Sequence, residues 1–503
     1  MAVRRGRRLS MRRYDHFIGG ASCVPSSGKL IDRFSPATGA LVAVFAAGNA
    51  RDVDTAVLAA RTAFDEGPWS RLSGIDRSRL LRAFAELMLA NLGRLAQIES
   101  DEVGKPIRYA RKDIEGGAKV VHYAAGLAAD LHGIAYPSLR PGQTGLVMRE
   151  PAGVVGAIIP WNFPAFVFCH KVPFALAAGC TVVVKPSEFT SGTALELARL
   201  ALEAGIPPGV VNVVTGYGAE AGDALVSHPG VDMVSFTGST ATGRKVMQAA
   251  IATTKRVSLE LGGKGANIVF ADADIDDALD GTLFGVFHNS GQVCSAGTRL
   301  IIDEAIADGF LARLKQAIGG IRIGDPADEA TDMGSLIHAP ALDRVRAYVD
   351  GSAAEGVVTY AGGHRLSGGL YDKGSFFAPT ILDRVTPFVR AHREEIFGPV
   401  LTVTRFRSTE EAVALANDTS YGLANALWSR DLDKVMGVSA ALRSGVVWVN
   451  TTLDGSPQMP FGGRQQSGFG REFGRAGLEE FTEIKSIFLS TGRRAPEFYG
   501  RTP

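Results

Sequence analysis

The chain has 503 residues, 46% hydrophobic and 21% charged, ordinary globular usage that supplies a sizeable core; at about 150 residues per domain the length suggests roughly two to four domains. Its 53 basic and 52 acidic residues nearly cancel, so no net field points to nucleic acid or an anionic membrane as the main partner. The longest apolar runs, such as Val182–Val184, are far too short to span a bilayer.

At the N-terminus, Arg4, Arg5, Arg7, Arg8, Arg12 and Arg13 crowd together without an acid. A transit peptide is one reading. The segment is short and lacks an apolar face, so residues 1–13 are expected to be a disordered basic tail, with Met11 an alternative start. Leu41 to Asp130 reads as mostly helical, with helical periodicity over Val53–Phe64 and Arg77–Glu99. From Val154 the pattern alternates. Val154–Ile159 and Thr181–Lys185 read as buried strands, and Ser191 as the cap of a helix carrying Leu195, Leu197, Leu200 and Leu202. Val210–Val214 is a strand, Ala219–Ser227 a helix, Val231–Phe236 a strand and Thr242 onward a helix. Such alternation implies parallel strands joined by right-handed crossovers, a doubly wound α/β sheet. A second α/β block runs from Asn267 to Phe406.

The cysteines, Cys23, Cys169, Cys180 and Cys294, include no CxxC pair. That is neither a disulfide framework nor a zinc site, and no metal is expected; it fits a reducing cytoplasm. Cys23, Cys169 and Cys180 read as small buried hydrophobes. Cys294 follows an apparent helix over Ala278–Phe287, among small residues in Gly291-Gln292-Val293-Cys294-Ser295-Ala296-Gly297; alone it too would read as a buried hydrophobe.

Its company changes the reading. Glu260 sits in an apolar strand that ends in Gly262 and Gly263. A carboxylate buried there must be paired or have its pKa raised, which suits a general base; the bland alternative is a surface glutamate. In Ile158-Ile159-Pro160-Trp161-Asn162-Phe163-Pro164 two prolines stiffen the backbone around Asn162. A fixed amide NH2 can donate to a developing oxyanion, or the asparagine can merely satisfy its own turn. Lys185-Pro186-Ser187-Glu188 lies at a strand's carboxyl end, where α/β sheets bind nucleotides. Lys185 and Glu188 can bond ribose hydroxyls there, and Glu188 would repel a 2′-phosphate, favouring NAD while leaving NADP possible. Phe236-Thr237-Gly238-Ser239 marks the next strand-to-helix junction, a place for a pyrophosphate. No GxGxxG follows a first strand; the nearest glycines are Gly216, Gly218 and Gly222.

The opening Phe34-Ser35-Pro36-Ala37-Thr38-Gly39, then PWNFP, KPSE, FTGST, LELGGK, GQVC, EEIFGPV and PFGG occur in one order from Phe34 to Gly463. Together they closely resemble the aldehyde dehydrogenase superfamily, of the NAD(P)-dependent, hydrolytic type. The resemblance implies Cys294 as nucleophile, Glu260 as base, Asn162 as oxyanion-hole amide and Lys171 in support. It implies a dinucleotide held by Ile158, Pro160, Trp161, Lys185, Ser187, Glu188, Gly218, Gly222, Phe236, Thr237, Gly238, Ser239 and Leu261, with Glu395 and Phe397 at the nicotinamide ribose. It further implies a Rossmann-type cofactor domain (14–132 and 152–262), an α/β catalytic domain (263–466), a β oligomerisation arm (133–151 and 482–498) and a homodimer or homotetramer. Phe163 and Phe461 are apolar walls of the substrate pocket, and Val293 and Ser295 flank the nucleophile. His170 and His288 replace residues that are often aromatic in relatives, which suggests a roomier, more polar entrance for an oxygenated or acidic aldehyde; the alternative is that both histidines face away. Glu260 argues against the rival, a CoA-acylating relative, and the intact set argues against a non-catalytic scaffold.

Overall fold

The structure, a computed structural model, describes residues 11–491. An eight-stranded sheet places 468–469, 256–260, 233–237, 154–159, 181–186, 211–213, 16–18 and 21–23 side by side. The five strands from 256–260 to 211–213 are parallel, with antiparallel strands at the edges. Strand order reverses at Val154–Ile159, the first of the parallel set: later strands lie on either side of it. Ligands of doubly wound sheets bind beyond the carboxyl ends at such a point. Asn162, Lys185, Thr237 and Glu260 all stand at those ends.

A seven-stranded sheet follows, in the order 358–361, 380–383, 400–406, 299–303, 266–269, 424–428 and 446–449. It is parallel apart from its first pair, and it runs past Phe406. Strands Ile134–Arg140, Gln143–Pro151 and Thr482–Ser490 form a separate antiparallel sheet.

Elements differ from expectation at several places. Arg12–Tyr14 is a strand, parallel to Leu41–Ala46, and the Arg12 guanidinium pairs with Asp101 at 3.0 Å. The disordered tail expected through residue 13 therefore does not reach Arg12; residues 1–10 lie outside the described residues, as do 492–498 of the expected arm. Ser191 precedes the Gly192–Glu203 helix but donates its hydroxyl to Ser187 O at 2.9 Å and does not cap. The helix expected at Ala219–Ser227 begins as a π-turn over Gly218–Gly222 and becomes α-helical only at Asp223. Cys169 and Cys180 are buried, whereas Cys23 is half-buried.

The Pro164–Ala178 helix is apolar apart from His170 and Lys171 and accordingly buried along almost its whole length. It packs closely on the Ile107–Ala129 helix because Gly116 and Gly117 stand at the contact: a Cβ at Gly117 would lie 3.0 Å from Cys169 Sγ.

Candidate active site

The Ile275–Phe287 helix delivers the chain to a reversed loop, with Asn289 and Ser290 at φ of 49° and 58°. Gly291 presses on the Glu394–Pro399 segment so closely that a Cβ would meet Gly398 O at 2.1 Å. The buried Gln292 side chain pins this loop: its Nε2 donates to Asn289 O at 3.0 Å and its Oε1 accepts from Ile337 N at 2.9 Å. Cys294 follows, between the nearly buried Val293 and Ser295. A Cβ at Gly263 would lie 2.3 Å from Cys294 O, so only glycine lets the strand carrying Glu260 approach.

Asn162 does not satisfy its own turn. Its Nδ2 donates to Gln292 O at 3.0 Å, and its own carbonyl accepts from Asn289 Nδ2 at 3.1 Å. An amide carries two N–H bonds, so the second remains for an oxyanion.

Glu260 is 5% exposed, and its Oε1 finds no protein partner. Burial, then the charge of Glu472, push its carboxyl up to about 8, against the pull of Lys171 and Cys294. The Cys294 thiol is pushed well above its ordinary value by burial and by Glu260. Lys171 Nζ donates to Glu472 Oε1 at 2.6 Å and to Ser235 Oγ at 3.0 Å. His170 Nδ1 donates to Glu472 Oε2 at 2.6 Å. Burial raises the Glu472 carboxyl, but Lys171 and His170 outweigh it and hold it at about 2.

The two histidines lie among rings. His170 stands 4.2 Å from the Phe473 centroid, 4.6 Å from Phe166 and 6.4 Å from Phe461. His288 contacts Phe163 at 5.9 Å and Tyr109 and Phe284 each at 4.8 Å. Burial pushes the His288 imidazole down to about 4, so it is neutral at pH 7.

The remaining candidates line the carboxyl edge of the sheet. Ile158 is the penultimate residue of the Val154–Ile159 strand, Pro160 and Trp161 follow that strand, and Trp161 meets Phe397 edge-on at 5.3 Å. Lys185 Nζ, nearly buried, has Glu188 Oε2 at 3.7 Å, with Ser187 between them in sequence. Gly218 and Gly222 have no atom within 4 Å of where a Cβ would stand. Phe236 and Thr237 end their strand, and the Thr237 hydroxyl is buried without a partner. Gly238 leads to Ser239, which caps the Thr240–Ala250 helix. Leu261 is buried beyond Glu260, and Glu395 Oε1 accepts from Gly263 N at 2.9 Å. A helix start at a strand's carboxyl end, a backbone shelf without side chains and unspent polar atoms suit a ligand with phosphates and ribose hydroxyls. Glu472, Asn289 and the anchoring role of the Gln292 side chain were not among the residues read from the chain, and no local pattern marks them.

Residues 23–487 match the aldehyde dehydrogenase family. The chain is 44% identical to betaine aldehyde dehydrogenase of Bacillus subtilis over 458 residues, 91% of this chain and 94% of that protein. Among solved structures it is similar to an NAD-dependent aldehyde dehydrogenase of Sinorhizobium meliloti, with a TM-score of 0.95 and 48% identity over 97% of this chain and 96% of that one. A betaine aldehyde dehydrogenase of Staphylococcus aureus, solved in complex with NAD+, superposes with a TM-score of 0.95 at 36% identity over 98% of both chains.

Proposed function

The chain belongs to the aldehyde dehydrogenase family, and from that premise we propose that it oxidises an aldehyde to a carboxylic acid through a thioester on Cys294, with NAD preferred to NADP. The observation that carries the reading is the convergence of Cys294, Glu260 and the free N–H of Asn162 between two sheets.

The Cys294 thiol is held protonated by its surroundings, so its activation needs a base, and Glu260 is adjacent. The thiolate adds to the aldehyde carbonyl, and Asn162 Nδ2 donates to the resulting oxyanion. A bound dinucleotide would supply the acceptor for the hydride that leaves the reacting carbon. Glu260, shielded from bulk water, takes a proton from the water that cleaves the thioester and releases the acid. Lys185, Ser187 and Glu188 would hold the adenosine ribose, the Phe236–Ser239 junction the pyrophosphate, and Glu395 and Phe397 the nicotinamide ribose. Glu188, flanking Lys185, supports NAD through repulsion of a 2′-phosphate.

Burial keeps His288 neutral, so it offers no charge to a carboxylate, which favours a neutral aldehyde over an acidic one. The free thiols suit a reducing cytoplasm. The cofactor domain at 14–132 and 152–262, the catalytic domain at 263–466, the arm and a dimer or tetramer remain part of this reading. No helix among the described residues is long and apolar enough to cross a membrane.

The test is NADH formation from NAD and a panel of aldehydes. Cys294→Ser is expected to abolish it. Glu260→Gln, which keeps the shape but removes the base, is expected to slow both acylation of Cys294 and release of the acid. Turnover that needs CoA, or NADH formation unaffected by Cys294→Ser, would overturn the reading.

A further inference from the structure

One buried ionic cluster lies outside the chemistry above. The Lys105 ammonium, 1% exposed, donates to Glu99 Oε1 at 3.0 Å and also to the Asp113 carboxylate. It stands 3.9 Å from the centroid of the Phe163 ring. A desolvated lysine is costly unless it is paired and hydrogen-bonded; two carboxylates and an aromatic face meet that demand. Glu99 comes from the Leu92–Val103 helix, Asp113 from the Ile107–Ala129 helix and Lys105 from the link between them.

These groups converge on the segment that carries Asn162. The Pro164–Ala178 helix has no side-chain cap of its own: Phe163 occupies the cap position, and Pro164 follows it. Proline has no N–H, so Ala165 offers the first orphan donor of that helix. Glu99 Oε2 accepts it at 3.3 Å from across the fold. One carboxylate thus holds the first turn with one oxygen and Lys105 with the other, while Lys105 backs the Phe163 ring. Asn162 is the next residue. On its other side it is held by Asn289 and Gln292 of the nucleophile loop, so its position is fixed only if both supports are rigid.

We propose that the Glu99–Lys105–Asp113 triad is the positioning device for the oxyanion amide, aligning Asn162 with Cys294 through the first turn of the Pro164–Ala178 helix and the Phe163 ring. The proposal rests on the reading of Asn162 as the oxyanion donor. A reacting group misplaced by about 1 Å loses on the order of a hundredfold in rate, so a support needs no contact with substrate to matter.

The test compares Glu99→Gln, Glu99→Ala, Asn162→Ala and the Glu99→Ala/Asn162→Ala double variant in the full-length enzyme. Asn162→Ala is expected to lower aldehyde kcat/KM by about a hundredfold or more. Glu99→Gln keeps an acceptor for Ala165 but loses the charge facing Lys105; a loss of about tenfold is expected, with the NAD dissociation constant unchanged. Glu99→Ala is expected to lose more. The double variant is expected to be little slower than Asn162→Ala alone, because a group acting through Asn162 has nothing left to act on. If Glu99→Ala does not fold, Glu99→Gln and its double with Asn162→Ala carry the same comparison. Unchanged kcat/KM in Glu99→Gln, or losses that multiply fully in the double variant, would overturn the triad while leaving the oxyanion reading intact. An Asn162→Ala enzyme of wild-type rate would remove both.

Discussion

A carboxyl group at Glu260 can act as base only after losing its proton, and in this protein it loses it at about pH 8. Below that the group is neutral, so thioester breakdown should climb with pH and level off above about 8. Burial is the first cause of the shift and the Glu472 charge the second. Glu472→Gln removes that like charge and leaves the Lys171 ammonium without its partner, and both changes favour the ionised Glu260. The rising limb of the thioester-breakdown profile is therefore expected to move to lower pH, read by rapid-mixing kinetics at a series of pH values. A limb that moves upward or stays put would show that Glu472 does not govern Glu260. A second residue-scale expectation concerns the loop: Gln292→Ala removes the side chain that fastens the loop before Cys294 to Ile337 N and should lower kcat/KM by about tenfold or more without changing NAD affinity. At this scale Cys294, Glu260 and Asn162 could be read from the chain because each is a reactive type in an unusual local setting. Glu472 could not. Its partner Lys171 lies 301 positions away, and a lone acid between Arg471 and Phe473 carries no spacing signal.

Helix contact is where element and site meet, since the Pro164–Ala178 helix begins beside Asn162 and carries His170 and Lys171. Its approach to the Ile107–Ala129 helix depends on Gly117, where a Cβ would stand 3.0 Å from Cys169 Sγ and 3.4 Å from Met88 Cε. Gly117→Ala is expected to destabilise by about 1–3 kcal/mol through overpacking, seen as a lower apparent Tm at a fixed scan rate. Cys169→Ala added to it removes the obstructing sulfur and should restore part of the loss; two independent losses would instead add. The alternating strands and helices after Val154 were legible because their apolar runs are short and punctuated by glycine. Leu41–Ala46 was not, since a six-residue apolar run reads equally as strand or buried helix. Arg12 read as solvated because nothing local reveals Asp101, 89 positions away, as its partner.

The doubly wound order of the larger sheet explains, at the scale of the whole molecule, why motifs scattered over some hundred residues form one site: each lies just past the carboxyl end of a neighbouring strand, on either side of the reversal at Val154–Ile159. The alternation made that legible in outline, while the pairing of the Arg256–Glu260 strand with Gly468–Phe469 depended on residues no pattern connects. The third sheet raises a different physical question. A three-stranded antiparallel sheet needs a covered hydrophobic face to be stable, yet Ile134, Tyr136, Leu139, Met148, Ile484, Phe488 and Leu489 are all exposed on this one. Exposed apolar groups gathered on one sheet mark an interaction surface, in keeping with the proposed homo-oligomer. Ile484 and Phe488, 62% and 70% exposed, lie four residues apart on one strand and so share a face. Replacing both by glutamate disturbs no core residue, because neither contributes to the buried clusters. The Ile484→Glu/Phe488→Glu chain is therefore expected to keep its secondary structure by circular dichroism but to give a smaller mass than the wild type by light scattering. A mass equal to the wild type, above that of one chain, would place the interface elsewhere; a wild type that is itself monomeric would leave those side chains exposed in solution and remove the oligomer from the reading.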